Sequence, residues 1–95
     1  MSPMSDNPVI DNPARGRFEL SEDGATAIAD YRINGNTLYI EYVESPPALR
    51  GKGTAGRLMQ GVMKAARERN LKVIPICGYA AAWLRRHDEF ADMMG

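Results

Sequence analysis

Polar and apolar positions alternate in three short runs of this chain before a helical spacing takes over. Arg17-Phe18-Glu19-Leu20 alternates, Asp23-Gly24 follows as a turn pair, and residues 25–33 alternate again. That period of two predicts two strands joined in a hairpin. In the second run Ala25, Ala27, Ala29, Tyr31 and Ile33 share one face, mostly small enough to sit close under a helix. Asn34-Gly35 is a strong hairpin signal, so a third strand over residues 37–43 should turn back beside the second and complete an antiparallel meander. Strict alternation assigns Leu38, Ile40 and Tyr42 to one face of that strand and Thr37, Tyr39, Glu41 and Val43 to the other.

Ser45-Pro46-Pro47 ends the sheet pattern, because proline has no amide to donate and biases its predecessor away from helix. The stretch Arg50-Gly51-Lys52-Gly53-Thr54-Ala55-Gly56 comes next, and from residue 54 to about 70 the period changes. Ala55, Leu58, Met59, Val62, Met63 and Ala66 form one apolar stripe, with Arg57, Gln60, Lys64, Arg67 and Glu68 covering the outside. Residues 72–77 read as a short fourth strand whose Pro75 requires that one side lack a full ladder and leaves that side open to a ligand. A second, shorter helix is expected from Tyr79 to about His87, and a frayed or loosely docked tail over residues 88–95. Residues 1–12 read as a flexible lead and residues 13–95 as a single domain, an α/β (α+β) fold with one small sheet.

Composition narrows the function classes. A chain of 95 residues buries only about two-thirds of the surface its unfolded form exposes. Lysine plus arginine equals aspartate plus glutamate, at 12 each, so no overall field argues for nucleic acid or an anionic membrane. One cysteine and one histidine supply neither an intramolecular disulfide nor a Cys/His zinc site, and a cytoplasmic location is expected. The first residues lack a signal-peptide apolar run, and nothing approaches a membrane span.

Three glycines and two cations just ahead of a helix form an anion cradle: the backbone is free to curl, and the positive helix end points at the same spot. Gly51, Gly53 and Gly56 match the G-x-G-x-x-G spacing of dinucleotide-binding folds, but the context does not. Ser45-Pro46-Pro47-Ala48-Leu49 is no lead-in strand, and the segment from Val73 to Cys77 carries no acid. The nucleotide-hydrolase pattern needs G-K-[ST], whereas the chain has Gly51-Lys52-Gly53. What remains is R-x-x-G-x-A, carried by Arg50, Gly53 and Ala55. After a meander and before an amphipathic helix, it resembles the pyrophosphate loop of the GNAT superfamily of N-acetyltransferases. Pro46 to Gly53, Leu71 to Cys77, Ala81 to His87, Asn12-Pro13 and Arg17-Phe18-Glu19 are similar to the minimal members of that superfamily.

The resemblance implies an acetyl-CoA-binding fold with the pantetheine arm laid between two splayed strands. It implies cofactor contacts from Val43, Arg50, Gly51, Lys52, Gly53, Thr54, Ala55 and Gly56. Acetyl transfer to an amine needs a proton acceptor, oxyanion stabilisation and often a proton for the departing thiolate. Tyr42 and Glu44, nominally on one face at the end of the third strand, precede the loop and are candidates, as is Cys77 ahead of the second helix. Glu44 reads either as a base or as a solvated carboxylate, Tyr42 as a donor or a packing aromatic, and Cys77 as an acetyl carrier or a buried structural thiol. Relatives commonly have histidine where Tyr42 stands, and tyrosine, with a pKa of about 10, is a poor base at neutral pH. His87, Arg85 and Arg86 read as helix-end and surface residues, and Met59 and Met63 as core.

The leading expectation is therefore an acetyl-CoA-dependent N-acetyltransferase acting on an unidentified amine, small molecule or protein, as a monomer or weak dimer without nucleic acid, membrane or metal. The alternatives are a non-catalytic acyl-CoA binding module and a nucleotide-phosphate or RNA-binding module.

Overall fold

The computed structural model describes residues 8–95. Five strands form one sheet in the order β1-β2-β3-β4-β5: β1 (Ile10–Asn12), β2 (Arg17–Glu22), β3 (Ala25–Asn34), β4 (Thr37–Glu44) and β5 (Lys72–Pro75). The first four are antiparallel in chain order. β5 returns parallel to β4 after a 3₁₀ turn, Pro47–Leu49, and the helix α1 (Thr54–Glu68). A shorter helix, α2 (Gly78–Arg85), and a 3₁₀ helix, Asp88–Met93, complete the chain. This is the mixed α/β domain expected from the alternation and the helical stripe.

The β2–β3 hairpin turns on Asp23 and Gly24, both with positive φ (51° and 78°), the geometry that suits the right-handed twist of paired strands. Phe18 and Leu20 of β2, Ala27 and Ala29 of β3, Leu38 and Ile40 of β4 and Val73 of β5 form the inner face. Leu58, Met59, Val62, Met63 and Ala66 of α1 pack on it, joined by Ala80, Trp83 and Leu84 of α2.

Four expectations are corrected. Alternation along β4 breaks at Glu41: Tyr31 pairs with Ile40 while Asp30 pairs with Tyr42, so Glu41 is an extra residue bulged out of the ladder. Past the bulge Val43, opposite buried Ala29, packs on the core, and Tyr42 turns to the face opposite Leu38 and Ile40. Secondly, residues 10–12, assigned to the lead, are strand β1, paired Ile10 to Glu19 and Asn12 to Arg17; the rest of the lead, residues 1–7, lies outside the described residues. Thirdly, the fourth predicted strand stops at Pro75 instead of reaching Cys77, because the amides of Ile76 and Cys77 both turn onto the carbonyl of Ile40 (2.9 and 3.1 Å). Finally, the tail is docked. Phe90 and Met93, three apart on the 3₁₀ helix, are buried, and Arg67 holds Asp92 from α1.

β1 is secured by contacts remote in sequence. The Tyr31 hydroxyl donates to Asp11 Oδ1 at 2.6 Å, and Arg69 approaches Asp11 Oδ2 at 3.3 Å. Val9, just before β1, crosses α1 where Gly61 leaves room; a Cβ there would overlap the Val9 side chain.

Two outcomes follow. Alanine at an open helix-interior glycine stabilises by about 1 kcal/mol, but Gly61→Ala collides with Val9. The variant should instead lose about 1 kcal/mol in urea unfolding and exchange the Ile10–Asn12 amides faster; a gain in stability would remove the packing argument. Tyr31 is pushed up to about 12 by its burial first and then by the Asp11 carboxylate. Its ordinary value is about 10, so its stabilising contribution is whole below that and is lost as pH climbs through the raised value. Tyr31→Phe should be less stable than the wild type by about 1 kcal/mol near pH 8, with the difference shrinking above pH 10.

Candidate functional site

Past Ile40, β5 leaves the sheet at Pro75 while β4 runs on to Glu44. The final residues of β4 therefore have β3 on one side and no strand on the other. Chain direction then reverses through Ser45 and the 3₁₀ turn, whose Leu49 is buried and anchors it. Gly51 and Gly53 follow with φ of 78° each, in the left-handed region, and Gly53 is the residue that caps α1. No side chain caps this helix end and its first turn carries no acid. The first intrahelical bond runs from the Arg57 amide to the Gly53 carbonyl (3.1 Å), so the amides of Thr54, Ala55 and Gly56 have no partner in the helix.

These elements enclose a cavity of about 430 Å³. Its walls are Tyr42, Val43, Glu44 and Ser45 at the end of β4, Leu49 to Gly51, Gly53 to Gly56, and Tyr79 from the first turn of α2. The lining carries one guanidinium, Arg50, and one carboxylate, Glu44. Arg50 Nε reaches back to the Ser45 carbonyl at 3.2 Å, which draws the guanidinium stem across the turn. Tyr42 is 49% exposed and Tyr79 39%, so each presents much of its ring to the opening. Partial burial raises the Tyr79 phenol above its ordinary pKa. The Ser45 hydroxyl is buried and has no hydrogen-bond partner among the described residues.

Of the residues singled out from sequence, Tyr42, Val43, Glu44, Arg50, Gly51, Gly53, Thr54, Ala55 and Gly56 all line this cavity. Lys52 does not: its ammonium is turned away to Asp23 at 3.0 Å, on the surface. Cys77 does not either. It is part-buried against the core and leads into α2, two residues before Tyr79. Thr54 offers the cavity only its backbone, because its hydroxyl donates to Glu22 Oε1 at 2.6 Å. Gly56 is ordinary helix, with a Cβ there meeting Trp83 Nε1 at an unstrained 3.5 Å. His87 is structural as read from sequence: its ring stacks on Trp83 at 3.6 Å and its Nδ1 lies 2.7 Å from the Trp83 carbonyl.

Three participants escaped the sequence reading. Tyr79 was counted only as a helix start, although a tyrosine one residue after Gly78 is a polar aromatic at a helix mouth. Arg57 was assigned to the solvent face, yet its fork closes on Glu22 at 2.6 and 2.9 Å. Glu22 was passed over as the residue ahead of a turn. Arg57 holds the Glu22 carboxyl below the usual carboxylate range, against the opposing effect of burial, and Glu22 in turn raises Arg57. Among the described residues no group of three His, Cys, Asp or Glu side chains is disposed to hold a metal ion, and no helix is long and apolar enough to cross a membrane.

Comparison with known proteins agrees with this architecture. A solution NMR structure of a GCN5-like protein from Staphylococcus aureus superposes with a TM-score of 0.69 at 27% identity, over 97% of this chain and 91% of that one. No curated protein matches. The model of the GCN5-related N-acetyltransferase family matches residues 17–93, from the start of β2 to the end of the last 3₁₀ helix. The chain belongs to the GCN5-related N-acetyltransferase family.

Proposed function

We propose that this acetyltransferase takes its acetyl group from acetyl-CoA and passes it to an amine at the end of β4. One observation carries the reading: a single cavity joins Arg50 and the α1 end, whose first amides have no partner within the helix, to Tyr42, Glu44 and Tyr79. The residues fit the cofactor. Left-handed glycines, a helix end without an acid and the Arg50 guanidinium in the lining suit a diphosphate. The edge of β4 left without a neighbour suits an extended amide-bearing arm. Acetyl-CoA, when bound, supplies an activated thioester and a thiol leaving group.

The protein's own residues then divide the work. Arg50 and the amides of residues 54–56 hold the diphosphate and so fix the depth of the arm. Lys52 contributes only by leaving Asp23. Glu44, exposed at the cavity wall, accepts a proton from the incoming ammonium directly or through water. Tyr79, a phenol in the cavity wall that carries its proton at neutral pH, holds the proton that a departing thiolate requires. Tyr42 orients the acceptor beside Glu44 on the same face of the strand. Cys77 stands outside the cavity wall, and this favours direct transfer over an acetyl-cysteine intermediate.

Calorimetric titration with CoA, acetyl-CoA and ATP tests the ligand. CoA and acetyl-CoA should bind in the micromolar range, ATP much more weakly, and Arg50→Ala should weaken CoA about tenfold or more. Binding of ATP but not CoA would sink the reading. Thiol release from acetyl-CoA, followed with a panel of amines, tests the chemistry: Tyr79→Phe should lower kcat about 100-fold with little change in KM, and Cys77→Ala should retain transfer. Loss of transfer in Cys77→Ala, with acetylated protein accumulating in the wild type, would restore the covalent route.

A further inference from the structure

The tip of the β2–β3 hairpin abuts the glycine loop, and two adjacent carboxylates on it take up two of the cations nearest the loop. Asp23 pairs with Lys52 at the surface. Glu22 is different in kind, because its side chain is only 6% exposed. Its Oε1 accepts both from the Thr54 hydroxyl and from Arg57 Nη2, each at 2.6 Å, and its Oε2 accepts from Arg57 Nε at 2.9 Å. Thr54 opens α1 and Arg57 lies one turn further on, with Nη1 so near Gly53 that a Cβ on that glycine would sit 3.2 Å away. One carboxylate from the sheet thus grips the first turn of the helix at two points and seats a guanidinium against the loop residue that caps it.

Stability alone does not account for this arrangement. Removing a carboxylate and a guanidinium from water costs about as much as their attraction returns, and an apolar pair of similar volume serves a core equally well. The hydrogen-bonded fork adds direction, since its planar geometry fixes where the helix end sits relative to the sheet. It also removes a liability. An unpaired Arg57 would be a positive charge beside the positive end of α1, where the helix dipole disfavours a cation. With Arg57 answered by Glu22 and Lys52 by Asp23, Arg50 is left as the cation in the cavity lining.

The geometry points to Glu22 as a positioning residue for the diphosphate-binding loop, acting through Thr54 and Arg57 on the backbone of residues 51–56 and setting the affinity for the diphosphate of CoA. This rests on the reading of that loop as the CoA site. Glu22 touches no ligand itself: it is turned into the seam between β2 and α1, and the cavity lining does not include it.

The test compares the intact wild-type chain with Glu22→Gln and Arg57→Lys, each first shown to be folded by circular dichroism. Glu22→Gln keeps a hydrogen-bond acceptor for Thr54 but removes the charge that holds the fork. It should weaken both CoA and inorganic pyrophosphate about tenfold by calorimetry, a change equal to about 1.4 kcal/mol. Binding of pantetheine, which has no phosphate, should be unchanged by the same calorimetry, a separation that general destabilisation would not produce. Amide exchange should accelerate at Arg57, the first amide bonded at this end of α1, while the centre of α1 stays protected. Arg57→Lys retains the charge without the fork and should fall between the wild type and Glu22→Gln. Should Glu22→Gln fail to fold, Arg57→Lys carries the test alone: wild-type affinity for CoA and pyrophosphate would overturn the inference. So would a folded Glu22→Gln that binds CoA unchanged, or more tightly, the latter showing that Glu22 dampens the site's charge instead of aligning it. If wild-type protein binds no CoA, the diphosphate reading fails first and this inference falls with it. If the wild type binds and the variants match it, only the role of Glu22 is lost.

Discussion

The carbonyl of Ile40 receives the amides of both Ile76 and Cys77, and this doubled bond is the last tie between β4 and β5. Everything that makes a site here depends on the sheet opening at that point. β5 has Pro75 where a continued ladder would need a donor on its outer side, and the chain leaves the sheet there towards α2. β4 stays paired with β3 to Glu44, past the bulge at Glu41, so its last residues present an edge that no strand fills. A sheet edge with unmet amides and carbonyls is a liability unless something covers it. Here the glycine loop and Tyr79 roof it from either side, and the result is a cavity instead of an open edge.

The bulge at Glu41 is the second half of the same arrangement. Without it, Tyr42 would point with Leu38 and Ile40 into the core beneath α1, and Val43 outward. One inserted residue reverses this: Val43 fills the end of the core and Tyr42 and Glu44 reach the opening. The face opposite α1 stays wet because its cross-strand neighbours satisfy one another. Arg32 pairs with Glu41 at 2.9 Å and lies over the Tyr39 ring, while Ser21 and Thr26 share a hydrogen bond at 2.9 Å.

What could be read in the sequence was whatever is local in the chain. The glycine loop announces itself by composition, the α1 stripe by its period, and the β2–β3 turn by Asp23-Gly24, so the loop that walls the cavity was legible except at Lys52, whose ammonium turns to Asp23. The bulge was not, because it is a property of two strands' registers: nothing in Thr37 to Glu44 alone says that Asp30 will face Tyr42 and Tyr31 will face Ile40. β1 is three residues long and owes its place to Tyr31, Arg69 and the gap at Gly61, all far along the chain. Glu22 and Arg57 are 35 positions apart, and each taken singly resembles a surface charge. Misreadings of Tyr42's face, of the first strand and of Arg57 share that origin in tertiary pairing.

These remote pairings explain how so short a chain holds an opening at all. A cavity of this size removes contacts that a small core can ill spare, and the structure compensates at its rim. Leu49 is driven into the core from the turn, Trp83 closes the gap beside Gly56 under a stacked His87, and Phe90 and Met93 seal the far end of the sheet with the chain's last residues. Polar ties do the same for the loop: Asp23 and Glu22 fasten it from the hairpin while Arg50 braces it on Ser45. The ligand side of the cavity is consequently fixed by several elements at once. Its other side rests on Tyr42 and Glu44, two exposed side chains at a strand end. On the function proposed above, diphosphate recognition falls to the rigid part of the fold, and acceptor recognition to the part that an incoming amine, small or carried on a protein, must itself help to order.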